Sequence, residues 1–278
     1  MVYLLLAICS SVAVSLLMRL STRHTPNSYW MLSTNYMVCF LIAACFSGFD
    51  QMLPRQAGLG HALWLGAVNG GFYLVSFILF QRSVKTSGIV LSSTFMKLGL
   101  LVPIVMSLLV FRQIPTAVQT IGFLIALVAI ILIQSAQQKE RGNFSFGLLL
   151  ILITGGAANA MSEIYDETGN PLLSSQFLLY TFAVALLLCL LLTLAKKERP
   201  NKVSLFFGLL IGIPNYFSAR FLLMSLDSLP AMIAHPTYSV VSVCLVSFLG
   251  VILFHEHLRK RQWLGMGFIV ISLVLLNI

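Results

Sequence analysis

The sequence is short of charge, and shortest of negative charge. Charged residues fill 9% of its 278 positions and only 8 are Asp or Glu, where a soluble domain carries about 25% charge. With 59% of the chain hydrophobic, this excludes a water-soluble globule, because too little polar surface exists to cover so much apolar mass. Paired cysteine spacing is also missing. Cys9, Cys39, Cys45, Cys189 and Cys244 lie singly in apolar stretches, which excludes a disulfide framework and suits small buried hydrophobes. No basic segment precedes the apolar residues 2–18, and Met18-Arg19-Leu20-Ser21 offers no small-residue cleavage site. That segment is therefore expected to be retained as a first helix.

Catalytic and metal signatures are absent as well. There is no nucleophile elbow and no phosphate loop. His255-Glu256-His257 does not extend to His-Glu-x-x-His, since Arg259 stands where the second His would be, and three residues at an interface make a poor metal cage. The expectation is a protein that is not an enzyme and has no metal and no cofactor. The net charge of +9 does not indicate a nucleic-acid partner, because its location in loops explains it.

What is present is a series of apolar runs, each about long enough to cross ~30 Å of hydrocarbon as a helix. Backbone exposed to lipid must satisfy its own hydrogen bonds, and runs of ~20 residues do so as helices rather than as alternating barrel strands. Ten spans are expected, at about 2–20, 29–49, 60–82, 88–110, 116–135, 146–164, 173–195, 203–226, 231–253 and 262–278. The breaks carry turn residues, among them Pro26-Asn27, Pro54, Thr86-Ser87-Gly88, Pro115, Gly169-Asn170-Pro171, Arg199-Pro200-Asn201 and Pro230. A shift of 143 residues lays the second half on the first, placing Met18 on Met161, Tyr73 on Tyr216, Phe111 on Phe254, Gln119 on Gln262 and Gly122 on Gly265. Five spans per copy is odd, so the copies must enter the membrane from opposite sides, as in many secondary transporters. The fold class expected is an all-α membrane protein: ten transmembrane helices in two inverted five-helix repeats around a central cavity. The repeats are 1–135 and 146–278, joined by a loop at 136–145.

The text at the repeat ends resembles a known signature. Phe254-His255-Glu256-His257-Leu258, followed by Gln262-Trp263-Leu264-Gly265, is similar to the Gly-Glu-x-Leu…Gln-x-x-Gly pattern of the EamA-type drug/metabolite transporter superfamily. Phe111-Arg112-Gln113-Ile114-Pro115 with Gln119 and Gly122 is a worn copy lacking the Glu. His255 stands where the pattern has Gly. The resemblance implies a transporter with a cavity lined by spans 1, 3, 4, 6, 8 and 9, with spans 5 and 10 peripheral. It also implies cytoplasmic termini, which the charge distribution below opposes.

Polar residues inside the spans are the candidate site. Lys97 lies about halfway along its span, where a charge costs at least ~2.5–3.5 kcal/mol. Ser93 precedes it by one turn. Asn69, Tyr73 and Ser76 share one helical face; Asn215 and Tyr216 answer them from span 8, beside Pro214. Arg220 lies further along that span, where it could snorkel. His235, Tyr238 and Ser239 share a face of span 9, and Glu163 is a carboxylate near the end of span 6. Asn69, Ser93, Tyr73, Asn215, Tyr216, Arg220, His235, Tyr238 and Lys97 are the candidate substrate contacts, with Glu163 and His235 as proton-coupling candidates. The competing role is structural: Asn, Ser and Gly join helices, Lys97 could pair with a carboxylate, and Glu163 could reach the interface. The mate of Lys97 at the 143-residue shift is Val240, so the cation is no symmetric scaffold feature.

Two cations in spans suit a small anionic or zwitterionic substrate, such as an amino acid or organic acid, carried by alternating access and possible proton coupling. The alternatives are an intramembrane enzyme or lipid-handling protein, for which no polar cluster at the interface is visible, and a passive channel, for which no charged ring or carbonyl filter is visible. Partners expected are the substrate and the lipid bilayer, with the chain a monomer or a homodimer. The loops after spans 1, 3, 5, 7 and 9 hold 13 Lys/Arg; the opposite side holds only Arg55 and Arg112. The positive-inside rule then places the chain in the cell's inner membrane with both termini outside. A green fluorescent protein fused to the C-terminus should stay dark, and bright cells would reverse this orientation.

Overall fold

The computed structural model describes residues 2–25, 28–48, 52–102, 116–141, 146–226, 229, 231–256 and 258–275. Within these, the side chains of residues 23, 28, 100, 133–141, 163, 166, 167, 226 and 231–236 lie outside the description, so the candidates Glu163 and His235 are placed only by their backbone. The worn motif copy at 111–115 and His257 also lie outside it.

Ten α-helices are seen among the described residues, with no strand: α1 (Val2–His24), α2 (Ser28–Ser47), α3 (Leu59–Ser87), α4 (Ile89–Lys97), α5 (Ala117–Arg141), α6 (Phe146–Thr168), α7 (Ser174–Ala195), α8 (Lys202–Leu226), α9 (Ala231–Phe254) and α10 (Lys260–Leu275). Among the described residues, six are long and apolar enough to cross a membrane, with shorter apolar stretches at Ala117–Leu132 and Phe146–Ser162. Helix starts fall within two residues of the expected spans. Several ends run on, to Ser87, Arg141 and Thr168, because helicity outlasts hydrophobicity once the last turns reach polar surroundings.

The turn residues act as caps. Asn170 accepts the Leu172 amide before Pro171, and Asn201 accepts that of Val203. Thr116 and Gln119 form a capping box, each side chain taking the other's backbone N–H. Gln262, the repeat mate of Gln119, likewise accepts the Arg259 amide at the start of α10. The Gln of the signature is thus a helix-starting residue.

One expected span is not a single regular helix. After Lys97 the chain tightens into a 3-10 turn at Leu98–Leu100. Gly99 sits there against the backbone of Gly155 and Gly156 on α6, so closely that a side chain on Gly99 would overlap it.

Packing runs largely between the halves. α1 and α2 lie against α8, α3 against α7 and α6, α2 against α7, α4 against α6 and α9, and α5 against α10. Exchanging each helix n with n+5 turns most of these pairs into one another. The closest seams have the same chemistry. Gly66 and Gly70 of α3 meet Phe177, Tyr180 and Thr181 of α7, while Gly208 and Gly212 of α8 meet Met31, Thr34, Asn35 and Val38 of α2. Both are small-xxx-small seams of the kind that let membrane helices approach closely. These glycines stand 142 residues apart, one short of the shift that aligns Tyr73 with Tyr216.

A Cβ at Gly70 would stand 2.5 Å from the Thr181 carbonyl oxygen, whereas one at Gly71 would meet nothing within 4 Å. Gly70→Ala should therefore lower stability in detergent by about 1–3 kcal/mol, and Gly71→Ala should leave the melting temperature nearly unchanged.

Candidate functional site

Lys97 ends α4 facing α1 and α9. Its Nζ donates to Ser11 Oγ at 3.0 Å and stands 3.7 Å from the centre of the Tyr238 ring, a cation–π contact. The Tyr238 hydroxyl shares a 3.0 Å hydrogen bond with Ser218 of α8, which also reaches the Ala7 carbonyl. Lys97 is half-buried, and no ion pair to it is seen among the described residues. The cluster thus draws on α1, α4, α8 and α9. Ser11 and Ser218 are members that sequence reasoning missed. Ser11 follows Ser10 and Ser218 lies between Tyr216 and Arg220, and only packing shows which serine meets a charge.

A row of rings links α2, α3, α7 and α8. Tyr73 and Tyr216 both contact Phe182, at 5.8 and 6.1 Å between centroids. Tyr216 stacks on Phe46, and Tyr73 on Phe77. The Tyr36 hydroxyl donates to the Tyr73 carbonyl.

Other candidates sit elsewhere. Asn69 is fully buried and reaches Thr181 of α7 at 3.5 Å; Asn215 donates to Asn35 of α2 at 3.2 Å. Both lie on the glycine seams and join helices there. Ser93 donates to the Val90 carbonyl of its own helix, which satisfies its hydroxyl without a partner across the fold. Arg220 donates to Ser175 at the start of α7, away from Lys97.

Glu256 does more than end a helix. Its carboxylate accepts the Ile89 and Val90 amides, at 2.8 and 3.1 Å, and so caps the N-terminus of α4. The Nε of Arg19 on α1 lies 3.2 Å from the same carboxylate, while another Arg19 nitrogen donates to the Val84 carbonyl in the last turn of α3. The pair bridges the break between α3 and α4, with the anion at a helix N-terminus and the cation at a C-terminus, as the helix dipoles favour. Gly88 makes this possible. It has φ +85°, and a Cβ there would lie 2.7 Å from a Glu256 oxygen.

The residue before Glu256 explains the glycine of the signature. His255 has φ +52°, the left-handed region that glycine adopts without strain and His tolerates better than most.

The helices and their caps define a multi-pass helical membrane protein. Residues 144–278, just under half of the chain, are similar to the EamA-like transporter family. The chain is similar to an uncharacterized protein of Haemophilus influenzae, 24% identical over 281 aligned residues, covering 95% of this chain and 94% of that one. A solved structure, described only as a crystal structure of a protein, shares the fold with a TM-score of 0.61 at 12% identity, over 99% of this chain and 96% of its own.

Because His255 is exposed, His255→Gly removes little packing while relieving the left-handed strain. It should raise stability by roughly 1 kcal/mol, read as a higher melting temperature in detergent.

Proposed function

We propose that this protein is a secondary transporter that moves a small anionic or zwitterionic metabolite by alternating access between two inverted five-helix halves. The observation that carries the reading is the setting of Lys97: a half-buried ammonium held by a hydroxyl and a ring face, which leaves its charge available to a ligand carboxylate or phosphate. Tyr238 orients the ammonium from α9, and Ser11 does so from α1. Tyr73 and Tyr216, both packed on Phe182, are the aromatic candidates for the substrate contact. Arg220 is a second cation at the outer end, and His235 and Glu163 are proton-coupling candidates by position alone.

Several features support the two-half mechanism. Helix pairs and glycine seams interchange when the halves are exchanged, and Gln119 and Gln262 cap corresponding helices. Lys97 stands at the junction of an α-helix and a 3-10 turn, a feature that often marks a hinge. Its contacts reach α1 in one half and α9 in the other, so rocking of the halves would change its surroundings. In this reading the excess of Lys/Arg in the loops after spans 1, 3, 5, 7 and 9 favours the inner membrane with both termini outside.

The test is uptake and counterflow in proteoliposomes with a panel of carboxylated and phosphorylated metabolites. Lys97→Ala should weaken the affinity for the transported compound by tenfold or more, the equivalent of about 1.4 kcal/mol, while Lys97→Arg should retain part of it. Unchanged affinity and rate in Lys97→Ala would remove Lys97 from the site.

A further inference from the structure

We infer that Glu256, with Arg19, is a positioning residue for Lys97: the pair fixes α4 at the height that brings the ammonium to Ser11 and Tyr238. α1 and α4 run antiparallel and are joined at two levels. At one level Glu256 holds the Ile89 and Val90 amides and lies beside Arg19. At the other, Lys97 donates to Ser11. Arg19 and Ser11 are eight residues apart on α1; Ile89 and Lys97 are eight apart on α4. Both intervals correspond to about 12 Å of helix, so the two levels are in step.

Glu256 holds the lower level by three independent means. The first amides of α4 have no partner within the helix, and the Glu256 carboxylate supplies one to Ile89 and Val90. Gly88 leaves the space into which the carboxylate fits. Arg19 ties the carboxylate to α1 and the end of α3. Below this, Gly250 of α9 sits against Val90, where a Cβ would come within 2.6 Å of it, so α4 has little room to shift while the cap is in place. Without the carboxylate, the first turn of α4 loses its tie to α1 and to the end of α3, and Lys97 at the other end of the same helix shifts with it.

Lys97's place in the transport site belongs to the preceding proposal; the test reads geometry and not transport, so the two can fail separately. Ser11→Cys is made in a Cys9→Ala background, so that the peptide carrying residue 11 has one thiol, and its reaction with N-ethylmaleimide is followed by mass spectrometry across pH. A thiol beside the Lys97 ammonium has a depressed pKa. Relative to the same protein with Lys97→Gln, it should react about three- to tenfold faster at neutral pH, the gain in thiolate being partly offset by lower nucleophilicity.

Adding Glu256→Gln should bring the thiol to the Lys97→Gln behaviour, and Glu256→Asp, too short to reach both the amides and Arg19, should fall between. An unchanged thiol pKa in folded Glu256→Gln, or in Glu256→Asp where the Gln variant does not fold, overturns the proposal. So does a thiol indifferent to Lys97→Gln. Should the thiol prove inert, trace acetylation of the protein without cysteine changes serves instead. Lys97 should then acetylate severalfold faster, relative to exposed Lys202, in Glu256→Gln than in wild type, and an equal ratio overturns the proposal.

Discussion

The ion pair at the break between α3 and α4 is the constraint on which the rest of this structure leans. The first amides and last carbonyls of a helix have no partner within it, and at this short break protein groups supply the partners. Here one carboxylate and one guanidinium do so together: Glu256 takes the bare amides of α4 and Arg19 takes a carbonyl at the end of α3. Because Glu256 comes from the α9–α10 connection and Arg19 from α1, the solution also fastens the two halves to each other. The shortage of acidic residues gives this weight, since only 8 are present in the whole chain.

The polar residues within the helices divide into two kinds according to what they meet. Asn69 and Asn215 meet Thr181 and Asn35 beside glycines whose missing side chains allow backbones to touch. They hold the seams α3–α7 and α8–α2. Lys97, Ser11, Tyr238 and Ser218 meet one another across four helices. They tie four helices together around one ammonium.

Much of the fold was legible. Apolar length located the helix starts, and turn residues located the caps, because both are local consequences of backbone hydrogen bonding in lipid. The 3-10 turn after Lys97 was not legible; Gly99 within it packs against α6, a partner more than fifty residues away. Of the candidate site, Lys97 and Tyr238 were visible as polar residues in apolar runs. Ser11 and Ser218 were not, because a serine looks the same whether it bonds its own helix, as Ser93 does, or a neighbour's charge.

By itself the sequence determined that the chain lives in a bilayer, where its helices begin, and that the last helix of each half carries a matching Gln helix-start signal. These follow from composition and short-range chemistry. The tertiary structure alone decided which polar groups meet. It set Glu256 on the end of a helix from the other half, put His255 in a left-handed turn suited to glycine, and gave Lys97 a hydroxyl and a ring as neighbours. Those contacts span from 86 to 167 residues of chain, and only the packing of whole helices brings such distances together.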